Sequence, residues 1–197
     1  MKYILLIFMV FPLSSQACED YASWRKANKD CVWTNAAEKA VAASSLATRT
    51  PTDVLDFCPN YSALATDQRN KFWVGLLSAV ARPESNYKPE TTYTENFNDS
   101  SGKKVISRGL LQISIESANQ KLYSCGIKKS EDLQDSIINL QCGVKILDAW
   151  VRKDNVIASY TKGQTRGGGR YWSTLRKSNN HLPELVGNTS SLPFCTK

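Results

Sequence analysis

The chain has 197 residues, with 25 lysines and arginines against 18 aspartates and glutamates and a formal charge of +7. That length suits one domain with its own hydrophobic core, and the basic balance favours an anionic partner such as cell-wall polymer, an acidic membrane surface or nucleic acid. Zinc sites of the CxxC or HExxH type are excluded, because the six cysteines form no CxxC pair and only one histidine is present; GxSxG and P-loop motifs are absent too.

At the N-terminus, Met1-Lys2-Tyr3 carries one positive charge, Ile4 to Leu13 is mostly apolar, and Ser15-Gln16-Ala17 offers small residues where a signal peptidase reads. Residues 1–17 read as a secretory signal peptide, too short and wrongly flanked for a transmembrane helix. Cleavage after Ala17 predicts a soluble protein, secreted or periplasmic. It would also leave Cys18 first, as in a lipoprotein, but Ser15 stands where such sites carry Leu, so lipidation ranks second. No other stretch is apolar enough to span a bilayer, and export makes nucleic acid the least suitable partner.

Residues 18–65 read as an N-terminal extension, with an Ala-rich short helix over Asn35 to Leu46 and breaks at Pro51 and Pro59. The strongest helix starts at Thr66, its N-cap, with Asp67 in the first turn; Phe72, Trp73, Leu76, Leu77 and Val80 recur at helical spacing until Pro83 interrupts it. Thr92, Tyr93 and Phe97, then the turn Asn98 to Gly102, then Val105-Ile106, predict a small β-hairpin. Ser107 would cap a short helix through Leu111. A longer helix spans about Asp135 to Val151, Gly163 to Gly169 reads as a flexible loop, Arg170 to Arg176 as a last helical turn or two, and the tail from Ser178 as polar until Leu192 to Cys195. The fold class is therefore mainly α with one small β-hairpin.

The six cysteines suit disulfides in an oxidising compartment. Cys125 with Cys142 is the expected pair, because the two flank one compact segment.

Glu84 lies four, seven and eleven residues after Val80, Leu77 and Trp73, so on a continuous helix it would end an apolar stripe. Burial there raises a carboxyl pKa, which is what a general acid for glycoside cleavage needs. The competing reading is a solvated glutamate after Pro83, and the spacing alone favours it.

The neighbouring residues change that balance. Glu84-Ser85-Asn86-Tyr87 is followed by Ser107-Arg108-Gly109-Leu110-Leu111-Gln112-Ile113, then Asn139 with Gly143, then Ala158-Ser159-Tyr160-Thr161-Lys162-Gly163. Over residues 66 to 176 this order resembles the soluble lytic transglycosylase (SLT) family and its goose-type lysozyme relatives, which show Glu-Ser with an aromatic, Gly-Leu-Met-Gln, Asn with Gly four residues on, and Ala-x-Tyr-Asn-x-Gly. Leu111 replaces the usual Met, Thr161 replaces the usual Asn, Pro83 directly precedes the glutamate, and the insert after Tyr87 is long.

The resemblance implies a lysozyme-like catalytic domain over 66–177, followed by a C-terminal tail, 178–197. It implies a monomeric enzyme without cofactor or metal, acting on peptidoglycan glycan strands. Glu84 would be the acid and then the base, drawing the muramic 6-hydroxyl onto its own anomeric carbon to give 1,6-anhydro products. Gln112 would hydrogen-bond sugar or an N-acetyl group, and Tyr160 would orient Glu84 or stabilise charge. Ser107 reads equally as cleft residue and N-cap. Gly109 would allow close packing near the sugar, with Asn139 and Gly143 structural. Glu95 and Asp99 are candidate second carboxylates: if one reaches the cleft the enzyme is a lysozyme-type hydrolase, and if neither does the intramolecular route is favoured. Tyr87, Tyr93, Phe97, Tyr171 and Trp172 are candidates for stacking on sugar, whereas Trp73 and Trp150 read as core. A non-catalytic glycan-binding protein of the same fold is the alternative outside enzymes.

Overall fold

The computed structural model describes residues 21–196 apart from Lys29 and Lys162. The expected signal peptide, residues 1–17, and Cys18 lie outside the described residues. The helices are α1 (Val32–Ala42), α2 (Val54–Phe57), α3 (Thr66–Ser85), α4 (Ile115–Ala118), α5 (Ser136–Asp154) and α6 (Leu182–Ser190). Two strands, β1 (Thr92–Asn98) and β2 (Lys104–Arg108), form an antiparallel hairpin between α3 and α4. The mainly helical expectation, with one small hairpin, holds. None of the described helices is long and apolar enough to cross a membrane.

The centre of the molecule is α3. From Phe72 to Ala81 every residue is buried, polar Ser78 included. A helix enclosed on all sides needs neighbours on all sides. α1 and α6 supply them, and α1 also packs on α5. The N-terminal end of α3 is closed by Gln68, whose Oε1 accepts the Ala65 N–H at 3.2 Å, so the cap falls one residue before Thr66.

Residues before 66 share this core. Trp24, Phe57 and Tyr61 are fully buried with Phe72 and Trp73. The Trp73 indole donates to the Tyr61 hydroxyl at 3.0 Å, and the Trp24 indole to Thr34 Oγ1 at 2.8 Å, so the aromatic cluster is polar-satisfied. Two disulfides between described residues brace the shell. Cys125–Cys142 closes a separation of 17 residues, and Cys58–Cys195 ties the C-terminus to the loop before α3 across 137.

Four local expectations are corrected. Pro83 does not interrupt α3, which continues to Ser85. Proline deletes only the N–H that would bond the Ala79 carbonyl, and in the last turn few further bonds depend on it. Ser107 caps no helix; it sits in β2, and 109–112 is a tight turn. The Gly163–Gly169 stretch is not a uniformly loose loop, because Gly167–Arg170 forms a 3₁₀ turn with its glycines buried. A Cβ on Gly167 would meet the Val156 carbonyl at 2.2 Å, so these glycines permit contact rather than motion. The tail is not merely polar: Leu182 and Leu185 bury one face of α6 against the core.

Candidate active site

The end of α3 sets the position of Glu84. Because the helix runs through Pro83, Glu84 shares a face with Val80, Leu77 and Trp73, and the apolar stripe ends in a carboxyl group. Asn86 then terminates the helix at φ 50°, its N–H on the Arg82 carbonyl, and Tyr87 follows at φ 61°. Two successive left-handed non-glycine residues turn the chain sharply away, so Glu84 stays at the mouth of the next loop.

That loop is pinned from three elements. Arg108 and Ile113 exchange N–H···O bonds of 3.0 and 2.9 Å, closing the turn between them. The Ser85 hydroxyl donates to the Leu110 carbonyl at 2.9 Å and the Trp172 indole to the Leu111 carbonyl at 2.9 Å. Asn139, fully buried on α5, accepts from the Leu111 N–H and donates to the Arg108 and Leu133 carbonyls. Gly109, at φ 77°, lets this happen: a Cβ there would stand 2.1 Å from the Leu133 carbonyl oxygen and 2.4 Å from Asn139 Nδ2. Its close approach is therefore to α5. Gly143 does the same for Leu111, whose Cδ1 lies 2.2 Å from where a Cβ would be.

The turn presents Gln112 in a cleft of about 530 Å³ that also holds Glu84, Glu95 and Ser107. Gln112 is buried, and its Nε2 donates to the Thr91 and Gly109 carbonyls at 3.1 and 2.8 Å. Two carbonyl acceptors fix the amide orientation. Its Oε1 is buried and has no partner among the described residues, so the unused capacity of the amide is an acceptor.

Glu95 enters from the hairpin. β1 pairs with β2 at Thr94↔Ile106 and again at Asn98↔Lys104, so β1 carries extra residues between those pairs. Bulges of this kind re-aim side chains. Here the irregular stretch contains Glu95, whose Oε1 accepts from the Ser107 hydroxyl at 2.6 Å. Asp99 does not line the cleft. Its Oδ1 accepts from Ser101 and from the Lys103 N–H within the hairpin turn, and these bonds hold its carboxyl below the ordinary range.

Burial is the main influence on Glu84, whose pKa is pushed up to about 7. The Glu95 carboxylate adds to the rise, while the Thr174 hydroxyl, donating to Oε1 at 3.0 Å, and the Arg176 charge oppose it. The C-terminal end of α3 carries the negative pole of the helix dipole, which also disfavours ionisation. A carboxylic acid of this kind holds its proton near neutrality and can give it to a leaving oxygen.

The structure therefore brings Glu84, Gln112, Glu95 and Ser107 together. It does not bring Tyr160 to them. Tyr160 stands at the surface with its hydroxyl bonded to Asp56; partial burial first, then the Asp53 and Asp56 charges, raise its pKa. The tyrosine near the acid is Tyr171, which lines the cleft and feels the Glu84 charge. Phe97 and Trp172 line it too, as does Trp150, expected in the core; Trp73 is in the core. Thr174 and Tyr123 escaped the sequence reading, because a threonine and a tyrosine in loop text carry no spacing signal.

A model of the transglycosylase SLT domain matches residues 62–181. Among solved structures, the wild-type form 2 of a protein called Bd0314 DslA is 42% identical, with a TM-score of 0.83, over 89% of this chain and 97% of that one. One glutamate-to-glutamine mutant of DslA gives 42% and 0.84, over 91% and 100%. A second such mutant gives 41% and 0.83, over 89% and 97%. The glutamates replaced in the two mutants stand eleven positions apart, as Glu84 and Glu95 do here. No curated protein matches the chain.

Proposed function

The chain belongs to the transglycosylase SLT family, and from that premise we propose that it cleaves the β-1,4 bond between N-acetylmuramic acid and N-acetylglucosamine in peptidoglycan, with Glu84 as the general acid. The observation that carries the reading is the Glu84 carboxyl at the end of a buried helix, facing a polar cleft and protonated up to about pH 7. Glu84 gives its proton to the glycosidic oxygen, the bond from that oxygen to the muramic anomeric carbon breaks, and positive charge develops on the ring.

Two fates for that ring differ in who supplies the oxygen. In the first, Glu95 takes a proton from a water on the opposite ring face and the water oxygen bonds to the anomeric carbon, leaving a reducing end. In the second, ionised Glu84 takes the proton of the muramic 6-hydroxyl, which closes a 1,6-anhydro ring. Family membership favours the second. The geometry favours the first, because a second carboxylate is aimed into the cleft by a bulge and held there by Ser107. The spacing of the glutamates replaced in DslA gives the same pair weight. The hydrolytic route is accordingly our first reading. Disulfides and a cell-wall substrate accord with work outside the cytoplasm.

Digestion of purified sacculi tests both points. Glu84→Gln keeps the shape but has no acidic proton, and a loss of about a thousandfold or more in turnover is expected while the protein stays folded. Substantial remaining activity would remove Glu84 from the mechanism. Mass spectrometry of wild-type products should show reducing ends, and Glu95→Gln should abolish them. Anhydro ends, made equally well by Glu95→Gln, would replace the first route with the second.

A further inference from the structure

The resemblance assigned a hydroxyl near the acid to Tyr160, yet that hydroxyl is turned toward Asp56. The hydroxyl that reaches Glu84 belongs to Thr174. It donates to Oε1 at 3.0 Å, and Thr174 is 5% exposed. The segment that carries it, the 3₁₀ turn Ser173–Leu175, is clamped by the chain next to Tyr160. The Ser159 N–H bonds the Leu175 carbonyl at 2.9 Å, and the Lys177 N–H bonds the Ser159 carbonyl at 2.8 Å. The two segments thus pair in parallel, Ser159 opposite Arg176.

We propose that Thr174 is the positioning residue of the acid: its hydroxyl holds the Glu84 carboxyl in the orientation from which the proton is delivered, and the Ala158–Ser159 segment serves the site by bracing Thr174 rather than by lending a tyrosine. The role rests on the reading of Glu84 as general acid. The bond leaves Oε2 as the oxygen free for proton delivery. It also favours the ionised carboxyl, and so opposes the burial and the Glu95 charge that favour the protonated one. The other charged or titratable groups facing Glu84 are Arg176, two residues along from Thr174, and Tyr171.

Thr174→Val removes the hydroxyl and keeps the shape, and Thr174→Ser keeps the hydroxyl. Two readouts are taken for each: the carboxyl-carbon NMR titration of Glu84, which needs no turnover, and the pH profiles of kcat and kcat/KM on soluble glycan strands. In Thr174→Val the Glu84 midpoint should rise by about half a pH unit or more, and the basic limb of kcat/KM should rise with it. At the pH optimum kcat should fall about tenfold while KM stays within about twofold, because ground-state binding does not use this bond. Thr174→Ser should restore all of these. If Thr174→Val does not fold, Thr174→Ala carries the same readouts. An unmoved Glu84 midpoint with an intact kcat overturns the proposal. A midpoint that moves while the basic limb stays fixed leaves Thr174 on Glu84 but removes Glu84 from the chemistry, so the two failures are distinct.

Discussion

Glu84 is placed where its chemistry is expensive. Its ordinary pKa of 4.5 becomes about 7 in the folded protein, with burial as the leading cause. The folded state therefore holds a proton that the unfolded chain releases. The stability this brings is fully present below about pH 4.5 and is lost as pH rises to about 7, a change on the order of 3 kcal/mol. Glutamine keeps the shape and never ionises. Glu84→Gln should match the wild type in urea unfolding at pH 4 and exceed it by roughly 2–3 kcal/mol at pH 8. Equal stabilities at both pH values would mean that the carboxyl is better solvated than its position indicates. On the proposed role of Glu84 as general acid, kcat/KM should decline from about pH 7 upward, approaching a tenfold loss per pH unit.

At the scale of elements, three things deliver the cleft: the last turn of α3, the bulged hairpin, and the 109–112 turn held by α5. The turn depends on one fit. Gly109 has no Cβ, so Asn139 can reach the Arg108 and Leu133 carbonyls and the Leu111 N–H. Asn139→Ala would leave the Leu111 N–H and the Leu133 carbonyl buried without partners, the Arg108 carbonyl keeping its bond from the Ile113 N–H, at a cost of about 3–5 kcal/mol. Gly109→Ala would push the same contact apart and force a side chain to φ 77°, costing more than about 3 kcal/mol. Because both break one junction, the double variant should cost clearly less than the sum, and additive losses in denaturant unfolding would show two independent roles.

Legibility followed the same division. α3, α5 and the hairpin were readable because their apolar periods and turn residues are local. Glu84 and Gln112 were readable only through the order of motifs around them. Pro83 misled, because a proline's damage depends on how many helical bonds lie beyond it. Tyr160 misled, because direction out of a loop depends on Asp53 and Asp56, a hundred residues earlier in the chain. Thr174 was invisible for the converse reason: its meaning comes from Glu84, ninety residues before it.

For the whole molecule, the question is what keeps a central helix enclosed when its neighbours come from both ends of the chain. α1 precedes α3 and α6 follows the entire catalytic region, yet both pack on it. Cys58–Cys195 joins those ends across 137 residues, beside the Asn60 N–H bond to the Cys195 carbonyl. Leu192, next to that disulfide, fills the space that Gly75 leaves on α3. Cys125–Cys142 instead closes 17 residues and steadies the approach to α5. Loop-closure entropy in the unfolded chain gives about 5 kcal/mol for the long bridge and about 3 kcal/mol for the short one. The Cys58→Ser, Cys195→Ser variant should therefore lose more stability than the Cys125→Ser, Cys142→Ser variant, by about 2 kcal/mol in denaturant unfolding. It should also free α6 first, seen as amide exchange rising in Leu182–Ser190 before α5, with activity declining as α3 loses its cover. If the short bridge proved the more valuable, its contribution would have to come from native packing around α5 rather than from the chain it closes.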